Sequence, residues 1–269
     1  PAPRSGPLSR CLQAMSFSLD KKHISVVYHY VDDPLPSRRG IHPCPPEEFE
    51  RQVAFLGEHY RFVRLPELFR GAQSGADERL CALTFDDGLL DQYVQAFPIM
   101  ERHRAVGTFF VIGEALDGKM PETHTIHMLF SLLEPEELVG RYHAFVAEQF
   151  PERVKELAIP THRYLNDARR HSDIYTANFK ERMLFLPEDV REQFLEWMKV
   201  EHELNEAELS QEFFMGEHEV QDLARRGGVV GSHAEHHRAF DSEDPEKIAE
   251  DVRRARERLE KLLGSTATS

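Results

Sequence analysis

The chain has 269 residues, with 47 acidic against 33 basic side chains and a formal charge of −14. That balance argues against a nucleic-acid or anionic-membrane partner, either of which needs a basic face, and no apolar run approaches the roughly 20 residues of a membrane-spanning helix. With 41% hydrophobic and 30% charged residues the chain can bury a core, and at about 100–200 residues per domain its length suits one large domain or one domain with an insertion.

In chain order, residues 1–14 mix Pro, Arg, Ser and Gly without periodicity and read as an unstructured leader, with the folded domain expected over 15–269. The leader shows no apolar stretch followed by a small-residue cleavage site. Cys11, Cys44 and Cys81 are too few for a disulfide framework, so a reducing, cytoplasmic location is expected. Ile24–Tyr28 is strand-like, and Asp32-Asp33-Pro34 breaks it. Pro45 and Pro46 then open a helix whose Phe49, Val53 and Leu56 share one face. A short strand is expected over Phe62–Leu65, followed by a helix with Pro66 in its first turn. Cys81–Phe85 reads as a buried strand, 91–103 as a helix, and Gly107–Ile112 as the next strand. Strands joined by helices imply parallel pairing.

Over 118–212 that rhythm stops and helical stretches recur, at Glu122–Leu133, Glu136–Phe150, Phe179–Phe185 and Glu188–Leu204. Between Pro121 and Gly216 there are 19 acidic and 10 basic residues, so this segment carries most of the excess negative charge. It reads as a helical insertion with a solvated acidic surface. The alternation resumes with a helix over 217–226, a strand over Val229–Ser232, and a long helix from Asp244-Pro245 to Gly264. That last helix repeats Ile248, Val252, Ala255, Leu259 and Leu262 as a core-facing stripe.

Two constellations at strand ends carry the chemistry. Thr84-Phe85-Asp86-Asp87-Gly88 places adjacent carboxylates where parallel α/β folds bind ligands, an arrangement that is costly unless a cation or a difference in protonation separates their roles. His233-Ala234-Glu235-His236-His237 offers imidazoles four apart at 233 and 237, with 233 and 236 as a competing register. One carboxylate and two imidazoles make an open three-ligand metal site, and the second carboxylate stands within reach of a water as general base.

These stretches resemble the polysaccharide deacetylases of carbohydrate esterase family 4, with the NodB homology domain. Val27-Tyr28-His29-Tyr30, Gly107–Val111 and Leu223–Gly227 add to the likeness, which runs from about residue 23 to the end, interrupted by the helical segment. The resemblance implies a distorted (β/α) barrel, incomplete at the C-terminus and carrying the helical insertion. It implies Asp86 as catalytic base, and Asp87, His233 and His237 as ligands of one divalent metal, expected to be zinc. His29 would face the same mouth, beside the substrate. The expected reaction is hydrolysis of an N-acetyl group on an amino sugar or polysaccharide. Two rivals are a same-fold hydrolase of a non-carbohydrate amide and an inactive metal-binding scaffold. Ala234 stands where the family has Ser or Thr. The chain also stops before the motifs that supply the family's base-orienting arginine and acid histidine, from which an unfinished sheet and self-association are expected. His124, His127 and His218 are read as ordinary helix-surface residues.

Overall fold

The computed structural model describes residues 21–75, 77–240 and 244–264; the expected leader and Cys11 lie outside these. Five parallel strands form one sheet: β1 (His23–Tyr28), β2 (Arg61–Phe62), β3 (Leu80–Phe85), β4 (Gly107–Val111) and β5 (Val229–Ser232). Their order is β1-β3-β4-β5, and β2 pairs with Leu80 and Cys81 ahead of the point where β4 takes over at Leu83. The sheet stays open, as an arc of the expected barrel. Strand β3 is flanked on both sides, and all six of its residues are buried, which accounts for its uninterrupted apolar character.

The connecting helices are α1 (Pro46–His59), α2 (Leu65–Ser74) and α3 (Phe97–Arg102). Proline-started first turns carry acids that favour the helix dipole in α1, where Glu47 and Glu48 sit ahead of the buried Phe49, Val53 and Leu56. Two expected boundaries shift. The strand after α1 ends at Phe62, because Leu65 and Pro66 already belong to α2. The helix expected over 91–103 begins as a π turn at Gln92–Ala96, since Pro98 has no N–H to donate one turn back.

Between β4 and β5 the described residues form helices α4 (Glu122–Leu132), α5 (Pro135–Gln149), α6 (Val154–Leu157), α7 (Ile174–Phe185), α8 (Glu188–Glu201) and α9 (Glu206–Phe213), with α10 (Glu217–Arg225) leading into β5. Helix α7 starts five residues earlier than expected because Asp173 caps it, accepting from the Thr176 N–H at 2.9 Å. This segment owns a core of Leu138, Tyr142, Phe145, Phe179, Phe194 and Met198. The main core lies between the sheet and its helices, where Phe85 and Phe109 stack at 4.6 Å. The segment returns to the sheet where the Met215 N–H donates to the Gly88 carbonyl at 2.9 Å. Helix α11 (Pro245–Leu263) then crosses β5.

Candidate metal centre

Both sequence constellations leave the sheet at the carboxyl ends of neighbouring strands, the side on which parallel folds collect their ligand groups. Directly after β3, Asp87 takes a left-handed conformation at φ 77°, followed by Gly88 at φ 70°. Such a conformation is disfavoured for a non-glycine residue and persists where its surroundings impose it. At Gly88 a side chain has no room, because a Cβ would lie 3.1 Å from Val111 Cα. The turn buries the Asp87 side chain to 4% exposure. On the other side, the His233 N–H donates to the Val111 carbonyl at 2.9 Å, and Gly113 and Glu114 donate to the carbonyls of Ala234 and Glu235. The histidine loop thus continues the β4–β5 pairing, and left-handed turns at Ala234 and His237 bring His237 back towards Asp87.

The result is convergence on one oxygen. His233 Nε2 lies 3.3 Å and His237 Nε2 3.4 Å from Asp87 Oδ1, and the donor atoms of the three residues lie within 4.8 Å of one another. Asp87 Oδ1 and His237 Nδ1 are buried with no hydrogen-bond partner. A buried carboxylate oxygen without a donor is costly, and a cation among these three atoms would satisfy it, so the donor set fits a divalent ion. Burial opposes ionisation of Asp87, but the adjacent imidazoles of His124 and His233 outweigh it and hold the carboxyl well below its usual range. Burial pushes His237 down to about 4, keeping it neutral as a ligand must be. Burial also opposes protonation of His233, but its contact with Asp87 leaves it raised.

The two histidine registers differ in geometry. His236 points away, with Nδ1 3.1 Å from Glu114 Oε2. Its neighbour Glu235 is 2% exposed, meets Arg258 at 2.8 Å and donates its N–H to Asp251 at 2.9 Å. Asp86 stands on the open side, 22% exposed, with Oδ2 3.8 Å from His29 Nε2. Burial raises its pKa. His29 is 53% exposed. Beside His237 a cleft of about 240 Å³ runs between the histidine loop and the helical segment, lined among others by His127, Lys180, Arg191 and Arg238.

Three residues of this region escape sequence reasoning. Gln92, fully buried, donates to the carbonyls of His29 at 2.9 Å and Asp86 at 2.6 Å, tying the ends of β1 and β3 together. His124 and His127 are not helix-surface residues: His124 is completely buried with Nε2 3.2 Å from Asp87 Oδ2, and His127 Nδ1 lies 3.1 Å from the Tyr30 hydroxyl. His218 alone of that group lies on the surface. A signal was available, because Ile126, Met128, Leu129 and Phe130 surround His124 and His127 on every side of the helix, and a helix apolar all round is a buried one.

The family model for polysaccharide deacetylases matches residues 73–184 and 187–269. The chain belongs to the polysaccharide deacetylase family. Membership makes it a hydrolase of carbon–nitrogen bonds other than peptide bonds. Among solved structures it is similar to the Streptococcus pyogenes deacetylase PplD in complex with acetate, at 13% identity and a TM-score of 0.51, over 90% of this chain and 70% of that one. IcaB from Ammonifex degensii matches at 17% identity and a TM-score of 0.46, over 91% and 70%. The likeness to PplD supports the family's fold with an unclosed sheet. No curated protein matches the chain in sequence.

Proposed function

We propose that this member of the family is a metal-dependent deacylase that removes the N-acetyl group from an amino sugar or its polymer. The observation that carries the reading is the convergence of the Asp87, His233 and His237 donors within 4.8 Å of one another, with Asp86 next to them. Asp87 Oδ1, His233 Nε2 and His237 Nε2 would hold one divalent ion, and two imidazoles plus one carboxylate with an open side suit zinc. The ion, when bound, supplies Lewis acidity, acidifying a water and polarising the acyl carbonyl.

Asp86 is the general base of this reading. Its burial-raised carboxyl pKa moves towards the range that favours proton transfer, and its exposed edge lets it take the proton of the attacking water. The imidazole of His29 faces the same carboxylate, and the cleft beside His237 offers the sugar a berth. Copies of the chain are expected to associate through the open edge of the sheet.

The test is metal analysis together with acetate release from N-acetylglucosamine oligomers. Asp87→Ala and His237→Ala should lose the metal, whereas Asp86→Asn should keep it and lose turnover by about 100-fold or more, the scale of a general base. Equal metal loss in Asp86→Asn and Asp87→Ala would show that the two carboxylates do not divide the roles. Robust release from a simple acetylated amide, with none from acetylated sugars, would transfer the same chemistry to another substrate.

A further inference from the structure

We propose that His124, supplied by the helical segment between β4 and β5, is the positioning residue that aims Asp87 at its metal ion. The inference rests on the metal reading above but concerns the other oxygen of the carboxylate. Oδ1 faces the two ligand imidazoles, leaving Oδ2 as the second acceptor of a side chain only 4% exposed. An aspartate that binds through one oxygen needs a donor on the other to fix its rotamer, and such partners govern affinity nearly as strongly as the ligands themselves. His124 Nε2 lies 3.2 Å from Oδ2.

His124 has no competing duty. Its ring is fully buried and neither ring nitrogen has a hydrogen-bond partner, so Nε2, 3.2 Å from Oδ2, is free to donate to it. Nor does it belong to the ligand set, since among the described residues only Asp87, His233 and His237 bring donors within 4.8 Å of one another. Aromatic contacts hold the ring in place, with Phe214 at 4.8 Å and Tyr30 at 6.0 Å.

The helix beneath is held from two sides. Gly40 packs so closely on α4 that a Cβ there would lie 2.2 Å from the His127 carbonyl, and the Gly40 N–H donates to Ser131 Oγ at 3.1 Å. From α8, Arg191 Nε meets Glu122 at 2.5 Å. The segment that interrupts the sheet therefore builds part of the metal centre.

Zinc affinity measured by competition with a chromophoric chelator, and the visible absorption of the cobalt(II)-substituted protein, test this without reference to turnover. His124→Phe fills the site without an N–H and should weaken zinc binding by about 10–100-fold. His124→Gln can return an amide N–H to the Nε2 position and should recover most of that loss, while His124→Asn, whose amide falls short of it, should not. If the Phe variant does not fold, as its metal-free melting curve would reveal, the Gln and Asn comparison decides. The cobalt spectrum should keep its ligand count in the Gln variant. Wild-type affinity in all three variants overturns the proposal, as does loss of a nitrogen ligand from the cobalt spectrum, which would make His124 a direct ligand. A wild-type protein that binds no zinc removes the metal reading itself, and with it this proposal.

Discussion

Asp91 lies one turn beyond the paired carboxylates and meets the opposite electrostatic fate. Its Oδ2 accepts the Val31 N–H at 3.1 Å, while Oδ1 is buried without a partner. Burial, with a smaller push from Asp32 against the pull of Arg38, raises its pKa to about 7. An acid whose folded pKa is raised opposes folding once the unfolded carboxyl ionises, so this handicap is absent below pH 4, grows through pH 4–7 and is complete above. Moving from an ordinary 3.8 to about 7 sets a ceiling of about 4 kcal/mol on the effect. Asp91→Asn should therefore gain on the wild type between pH 5 and pH 8, read as the widening gap between the two urea midpoints. A gap that does not change with pH would mean that Asp91 is already ionised in the fold. At this scale the sequence was legible where chemistry is contiguous. Asp86-Asp87 and His233 to His237 each announce themselves within five residues, and topology only had to bring two strand ends together. His124, Gln92 and Asp91 act through partners 37, 6 and 60 positions away, and none sits in a motif, so their roles emerge only once the helices are packed.

Helix α11 shows what an element pattern predicts and what it cannot. Its stripe of five apolar residues was expected to face the core, yet only Ala255 and Leu259 are buried, and Val252 is 39% exposed. A 19-residue helix runs about 28 Å at 1.5 Å per residue, while the four residues of β5 span only about 13 Å, so the strand cannot cover the whole stripe; Leu262 still packs against the main core, and Val252, inside the stripe, is left exposed. The polar side of the helix does the more specific work. Arg258 grips Asp117 through two bonds of 2.8 Å and reaches Glu235, itself 2% exposed, at 2.8 Å. Gly113 makes room for that carboxylate, since a Cβ there would lie 2.0 Å from Glu235 Oε2. This clamp holds the histidine loop from behind, and nothing in residue spacing forecasts it. Arg258→Leu leaves Glu235 buried and unpaired, which should destabilise the fold by about 3 kcal/mol. The double variant with Glu235→Leu should recover much of the loss, because an apolar pair tolerates burial. Denaturant melts of the three proteins give the comparison, and a single variant within 1 kcal/mol of the wild type would show that water already satisfies the carboxylate.

For the whole molecule, the decisive feature is the open sheet. The parallel order β1-β3-β4-β5 could be foreseen from alternating strands and helices, and an incomplete barrel from the family resemblance. Unforeseen was that the helical segment would reach the site at the carboxyl end of β3, because its helices owe their placement to a core of their own. Among the described residues β1 pairs only with β3, so its outer backbone groups offer a template to another chain. Val27 on that strand is 52% exposed, an apolar residue where edge strands are commonly protected by charge. Against association stands the formal charge of −14, whose mutual repulsion between copies weakens as salt shortens the screening length to about 8 Å at physiological ionic strength. Association should therefore rise with both protein concentration and salt. Light scattering at 50 and 500 mM sodium chloride should show the mean mass climbing in the higher salt. Val27→Lys places a charge on the edge without entering the core or the metal centre, and should return the protein to a monomer in both salts while leaving zinc affinity unchanged. A wild-type chain that stays monomeric at high concentration in 500 mM salt would mean that the β1 edge is already covered. A Val27→Lys protein that still associates would move the contact to another surface.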